Sequence, residues 1–397
     1  MQGWKTQIGG GLCLMIAWGI HLAPRPAVAQ AAPSPAQPSP QLIPRTHADR
    51  EMRYRMEHRI ILNVQVSDVA GKSIPHLTEK EFTLLLDHKP YPLVSVREAP
   101  LHAALAPAHI ILVLDTINSS SHDLRTYRKG IQRYIEQLPN VLPFPVSIAL
   151  VTESGPRLSN NATMRDALLT DFEKLTQSLR PYECAKNVSP NDEFMSAVQL
   201  GQMSLDNSVQ QLACLNDRFT HSVNALQGIA TQQVNIPGRA ILIWIGSGWP
   251  LLYEKQFRAD DDTTRQNFFD HLVRLSTALR EGQVTLDMAS PASLLEKSAV
   301  LNDHDRAFLD GVPAADNVTS GSLSLQALSH QSGGQVLTDR NDFAAEIARC
   351  TADAASYYIL TFDTAAADRF GEFHSLTITV NRPGTLVRTN TMFYTEQ

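Results

Sequence analysis

Hydrophobic positions follow two rhythms along this chain, and the change between them divides it. Over residues 58–98 the period is two. Ile60, Leu62, Val64 and Val66 alternate with Ile61, Asn63, Gln65 and Ser67, as in a strand with one face buried. Phe82, Leu84 and Leu86 repeat the pattern, then Val94 and Val96, with turns expected at Ala70-Gly71-Lys72 and at Lys89-Pro90. Across residues 105–356 the pattern changes. Residues 109–114 (HIILVL) run apolar without alternation, which fits a strand covered on both faces of a parallel sheet. Leu124, Tyr127, Ile131, Tyr134, Ile135 and Leu138 then recur at helical spacing behind Ser120 or Ser121 as N-cap.

The alternation of strand and helix continues. Strands are expected at Val146–Thr152, Ala240–Ile245, Val284–Met288 and Val336–Leu337. Helices are expected at Met164–Leu179, Phe219–Ala230, Thr264–Leu279, Ser324–Gln331 and Asp342–Ala355, the last N-capped by Asn341. This order predicts an α/β fold, a doubly wound and mostly parallel sheet with helices on both faces. Residues 181–217 read as an insertion between sheet elements. From 357 to 397 the period returns to two, through Tyr358, Leu360 and Phe362, then Leu376, Ile378 and Val380, then Val387, Thr389, Thr391 and Phe393. Neither β-rich end has enough strands to hold a core alone. The expectation is one β-rich unit built from both ends and packed on the α/β body.

The extreme N-terminus carries no fold pattern. Lys5 precedes an apolar stretch from Gly9 to Leu22, and Ala27-Val28-Ala29 follows. That is the charge, apolar core and small-x-small order of an export signal, expected to span residues 1–29. The stretch is shorter than the roughly 20 residues that cross a bilayer. Residues 30–57 hold Pro33, Pro35, Pro38, Pro40 and Pro44 among Ala, Ser and Gln, a composition expected to act as an extended linker. The mature chain is thus expected in the periplasm or outside the cell, without stable membrane insertion after cleavage.

Composition narrows the function. Charged residues make up 19% and hydrophobic residues 43%, which excludes a wholly disordered chain. Loss of Lys5 and Arg25 with the signal leaves 32 basic against 40 acidic side chains, a net charge of −8. With no basic surplus, a nucleic-acid partner is not expected. Three cysteines remain, and Cys184 and Cys214 share the insertion. An oxidising compartment permits their pairing, so a Cys184–Cys214 disulfide and a free Cys350 are expected.

Several segments together resemble the von Willebrand factor A (vWA) domain, and in particular the exported acidobacterial VWFA-related proteins. They are residues 66–71 (VSDVAG) with 77–82 (LTEKEF), residues 109–115 with Asn118-Ser119, residues 236–248 (IPGRAILIWIGSG), and Ser332-Gly333-Gly334 with Asn341-Asp342-Phe343 and Tyr357-Tyr358. The resemblance covers roughly 58–394. It implies a Rossmann-like body and a binding role without an established reaction.

The resemblance also implies a metal-ion-dependent adhesion site at the carboxyl end of the sheet. In such a site an Asp-x-Ser-x-Ser motif, a Thr and a second Asp hold Mg²⁺. Here Asp115 and Ser119 match, Ile117 replaces the middle Ser, Thr220 falls where the Thr is expected, and Ser247 replaces the second Asp. One formal charge against a dication that sheds water reluctantly predicts a degenerate site. No resident cofactor is expected, and Asp115, Ser119 and Thr220 would hold Mg²⁺ only weakly.

The expected binding face for a protein partner comprises Asp115, Asn118, Ser119, Thr220, Ser247 and Trp249. Trp249 either offers an exposed aromatic anchor or covers the sheet end. The resulting expectation is a non-enzymatic interaction module for adhesion or envelope assembly. Two alternatives stand beside it. One is a serine hydrolase using Ser247, although Ile245 and Trp249 replace the outer glycines of a nucleophile elbow. The other is a structural envelope protein without a discrete ligand. The acidic run at Asp260-Asp261-Asp262 reads as the charged start of a helix.

Overall fold

The computed structural model describes residues 59–99, 108–184, 203–249, 262–289, 309–318, 322, 324–337, 342–364 and 371–395. The expected signal, the linker and residues 185–202 of the expected insertion lie outside them. Fifteen strands are described: β1 (Arg59–Asp68), β2 (Phe82–Leu86), β3 (Lys89–Tyr91), β4 (Ser95–Glu98), β5 (Ala108–Asp115), β6 (Val141–Thr152), β7 (Gly155–Leu158), β8 (Ala162–Met164), β9 (Arg239–Ile245), β10 (Val284–Ala289), β11 (Val336–Leu337), β12 (Tyr358–Asp363), β13 (Phe373–Val380), β14 (Thr385–Arg388) and β15 (Met392–Tyr394). The described helices are α1 (Ser121–Gln137), α2 (Arg165–Thr176), α3 (Met203–Gln233), α4 (Asp262–Glu281), α5 (Leu325–Gln331) and α6 (Phe343–Ala352). No described helix is long and apolar enough to cross a membrane.

The middle of the chain forms a mixed α/β body around a seven-stranded sheet of order β11-β10-β9-β5-β6-β7, with β8 also paired to β6. β5, β6, β9, β10 and β11 pair in parallel, and β7 and β8 run antiparallel to β6. Alternate residues of the central strands enter different cores. Ile111, Val113, Leu242 and Trp244 pack with Leu226 and Ile229 of α3 and Leu272 and Leu275 of α4. Leu112, Leu114, Ile241 and Ile243 pack with Tyr127 and Ile131 of α1, Phe172 of α2 and Ile347 of α6. Both faces of the central strands are therefore covered, which is why their sequences do not alternate. A fully buried Ile or Leu of this kind contributes about 2–3 kcal/mol.

The two ends of the chain pair with each other. β1 lies antiparallel to β12, with Arg59 opposite Asp363 and Val64 opposite Tyr358. β2 lies antiparallel to β13, with Phe82 opposite Val380. The resulting four-stranded sheets, β14-β1-β12-β4 and β15-β13-β2-β3, share one core that includes Leu62, Val64, Leu84, Leu360, Phe362, Ile378 and Phe393.

Several local expectations are corrected. β1 is buried on both faces, since Asn63, Gln65 and Ser67 are buried as well as its apolar residues. The α/β body covers that second face, and Gln65 Oε1 there accepts from Arg239. The turn expected at Lys89-Pro90 sits instead at Asp87-His88, both at positive φ, so that Leu86 pairs with Lys89. This is the two-residue hairpin geometry in which both central residues are left-handed. Asp87 helps to hold it by accepting from Ser375 N and pairing with His374. The helix expected from Phe219 starts at Met203, inside the stretch read as an insertion. Asp342 caps α6 by accepting from Ala345 N, whereas Asn341 lies outside the described residues.

Cutting away both ends should therefore undo the body. Met392 and Tyr394 belong to the core between the sheet and α3–α4, and Tyr394 meets Phe269 edge-on at 5.7 Å. A chain limited to residues 105–356 is expected to aggregate and to bind a hydrophobic dye. Unfolding as cooperative as that of a chain holding both ends, residues 58–397, would show the two parts to be independent.

Candidate functional site

Strands β5 and β9 are neighbours and end side by side, Leu114 opposite Ile245. Asp115 closes β5 and is fully buried. Its carboxylate accepts four N–H bonds. Oδ1 takes Ile117 N at 2.9 Å and Asn118 N at 3.1 Å. Oδ2 takes Asn118 Nδ2 at 2.7 Å and the Trp244 indole at 3.1 Å. Burial raises the Asp115 carboxyl above its ordinary range, and the donors from Asn118, Trp244 and Ile117 oppose that rise. Across from it, a Cβ on Gly246 would fall 2.7 Å from Asp115 Cβ, so the turn after β9 requires glycine to approach this closely.

The loop after β5 is held from α3. Asn118 Nδ2 also donates to Ser222 Oγ at 2.8 Å, and that hydroxyl donates to Arg218 O. Arg218 donates to Ile117 O and to Tyr182 O, and Tyr182 N donates to Thr116 O. Ser120 caps α1 by accepting from Asp123 N. Ser119 Oγ and Asn118 Oδ1 are buried without a hydrogen-bond partner.

The residues singled out from the sequence separate here. Asp115, Asn118, Ser119 and Ser247 gather at the sheet end. Thr220 does not, because it is exposed and its hydroxyl bonds back to Asn216 O. Positions two apart in a helix point about 200° away from each other, so Ser222, facing inward, supplies the α3 hydroxyl that reaches this loop. Trp249 covers the sheet end at 7% exposure, edge-on to Trp244 at 5.5 Å and to Phe219 at 6.1 Å. It is not an exposed anchor. Ser247 Oγ lies 3.2 Å from the Tyr127 hydroxyl, which burial pushes up to about 12. The Trp244 bond to Asp115 escapes sequence reading, since a Trp inside an apolar strand looks like core alone.

The residues present do not fit Mg²⁺. Both oxygens of Asp115 are already occupied by donors. A separate groove of about 640 Å³ runs along α3, lined by uncharged residues including Asn224, Gln227, Thr231 and Asn235. None of the sheet-end residues lines it.

Cys184 and Cys214 form a disulfide with Cα atoms 5.5 Å apart, and Cys350 is a buried free thiol. The bridge fastens the segment bearing Tyr182 to α3. Replacing both cysteines by serine is expected to cost about 3–4 kcal/mol by the loop-entropy model and to speed amide exchange at Tyr182. Peptide mapping of unreduced protein that found both thiols free would remove the basis for this.

No family model matches the chain, and no curated protein matches it. Among solved structures it is similar to the human COPII-coat protein Sec24c, at 11% identity and a TM-score of 0.27. That match covers 73% of this chain and 43% of the other.

Proposed function

We propose that the chain is an exported vWA-type interaction module that binds a protein partner at the carboxyl end of its doubly wound sheet. The observation that carries this is a reversal of direction at the sheet's centre. The chain leaves β5 for α1, which packs in the core with α2 and α6. It leaves β9 for α4, which packs in the core with α3. Adjacent strands whose connections depart to opposite faces open a crevice at their carboxyl ends, where open α/β sheets bind ligands. Asp115, Asn118, Ser119 and Ser247 stand there. The rim beyond them is exposed at Ser120, Ser121 and His122.

The proposed role is non-enzymatic. Ser247 has Tyr127 as its hydrogen-bond partner, and a phenol pushed up to about 12 is a poor acceptor for a serine proton at neutral pH. Export by a cleaved signal and an envelope or adhesive setting belong to the same proposal.

The test is capture from an envelope extract on immobilised mature protein, beside a Ser121→Arg variant that alters only the exposed rim. A partner retained by the parent chain and lost by the variant supports the proposal. Equal capture by both places binding elsewhere, and no capture favours a structural envelope component. Labelling of Ser247 by a broad serine-directed probe would establish the hydrolase instead.

A further inference from the structure

We infer that Asn118 and Trp244 close the sheet-end carboxylate to cations, so that the protein's own donors replace the metal that the vWA resemblance implies. Asp115 is the one matching carboxylate. Each of its oxygens accepts two hydrogen bonds at 2.7–3.1 Å, which uses the full acceptor capacity of a carboxylate. Two of the donors are backbone amides of the loop itself. The other two, Asn118 Nδ2 and Trp244 Nε1, converge on Oδ2 alone. Gly246 packs against the same oxygen, since a Cβ added to this glycine would lie 3.3 Å away from it. A cation at Oδ2 would have to displace both side-chain donors.

Neither donor moves away cheaply. Trp244 is fully buried in β9 and braced edge-on by Trp249. Asn118 is tied through the same amide nitrogen to Ser222 on α3. Swinging it out would leave both Asp115 and Ser222 without that donor. Mg²⁺ also binds through few protein ligands and keeps its waters, so an ion at Oδ2 would have to seat those waters as well as displace the two donors.

Two consequences follow for the binding role, which rest on the interaction module proposed above. The loop after β5 keeps its shape without an ion. The face also offers no electrophile for a partner's carboxylate, so a partner is recognised through hydrogen bonds and shape rather than by completing a metal's coordination.

The test uses the mature chain with Mn²⁺ alone and Mg²⁺ alone, followed by calorimetry. The parent protein is expected to give no saturable binding up to about 10 mM. Asn118→Ser combined with Trp244→Phe removes both side-chain donors and should tighten Mn²⁺ binding at least about tenfold. Parent binding below about 1 mM that Asp115→Ala abolishes would overturn the inference. So would a folded double variant that gains nothing. If the double variant does not fold, the melting temperature of the parent protein decides, since a rise of several degrees with Mn²⁺ over a chelator contradicts a closed site. Failure here is separable from failure of the binding role. Capture abolished by a chelator overturns the closed site and leaves an interaction module, whereas absent capture without metal binding does the reverse.

Discussion

Replacing Arg239 with alanine is expected to cost about 3–5 kcal/mol, the usual result of removing one partner from a buried charged network. Arg239 opens β9 and is 1% exposed. Its guanidinium donates to Thr285 Oγ1 at 3.1 Å, to Gln65 Oε1 at 3.3 Å and to the Asp353 carbonyl at 3.1 Å. It also lies over the Tyr357 ring at 4.8 Å. Gln65 belongs to β1 and Thr285 to β10, so one side chain joins the two-ended β unit to the parallel sheet. Alanine would leave those acceptors buried and unpaired and open a cavity beside the ring. Chemical denaturation of the parent protein, Arg239→Ala and Arg239→Met checks this. Methionine fills the volume and should recover part of the loss. A cost for alanine below about 1 kcal/mol would mean that the network contributes nothing net.

The second large effect is a dependence on pH at Asp287. Burial, and then the charge of Asp353, lift its carboxyl from 3.8 to about 7, against the Gln335 amide, Arg388 and Arg239. Its Oδ1 accepts from Gln335 N at 2.8 Å, and the carboxyl is fully buried. The Cys350 thiol lies beside it and is itself pushed well up, by burial first and then by Asp287 and Asp353. Below about pH 4 the carboxyl is protonated in both folded and unfolded chains. Between about 4 and 7 the unfolded chain gives up this proton and the folded chain keeps it, so stability falls as pH rises. Above about 7 the contribution is constant. The shift corresponds to about 4 kcal/mol in total. Asp287→Asn should remove this slope and raise stability at neutral pH relative to the parent. Subtracting the two pH profiles isolates the group, and parallel profiles would sink the assignment.

Much of the fold is legible in the sequence because its causes are local. The unbroken apolar run of β5 and the 3.6-residue spacing of α1 each report burial directly, and they lead to the right elements. What is missed depends on distant partners. The polar side of β1 looks like a solvent face, because the arginine that meets Gln65 stands far along the chain. β7 and β8 escape notice because Gly155 and Pro156 resemble a loop, although antiparallel pairing on β6 takes them in as an edge. The site is legible only in part. Asp115, Asn118 and Ser119 are marked by following an apolar strand. Motif spacing favours Thr220 over Ser222, and a two-residue error on a helix reverses the face. The bond from Trp244 to Asp115 joins adjacent strands whose sequences give no sign of register.

The pairing of the chain's two ends also governs the order of assembly. Arg59 and Asp363, which hold each other at 2.8 Å, are 304 residues apart in sequence. During vectorial synthesis β1 to β4 emerge first; β2 and β3 can form their hairpin, but β1, β4 and the other edge of β2 lack partners, because β12 to β15 are made last. The strands of the parallel sheet can associate before then, and they draw the ends together, since Ala99 N bonds to Tyr357 O at 2.8 Å just outside the body. The entropy of closing so long a loop is thereby largely met before the last strands arrive. Completion waits for the C-terminal strands, and until then β1 and the free edge of the β2–β3 hairpin stay open to wrong partners.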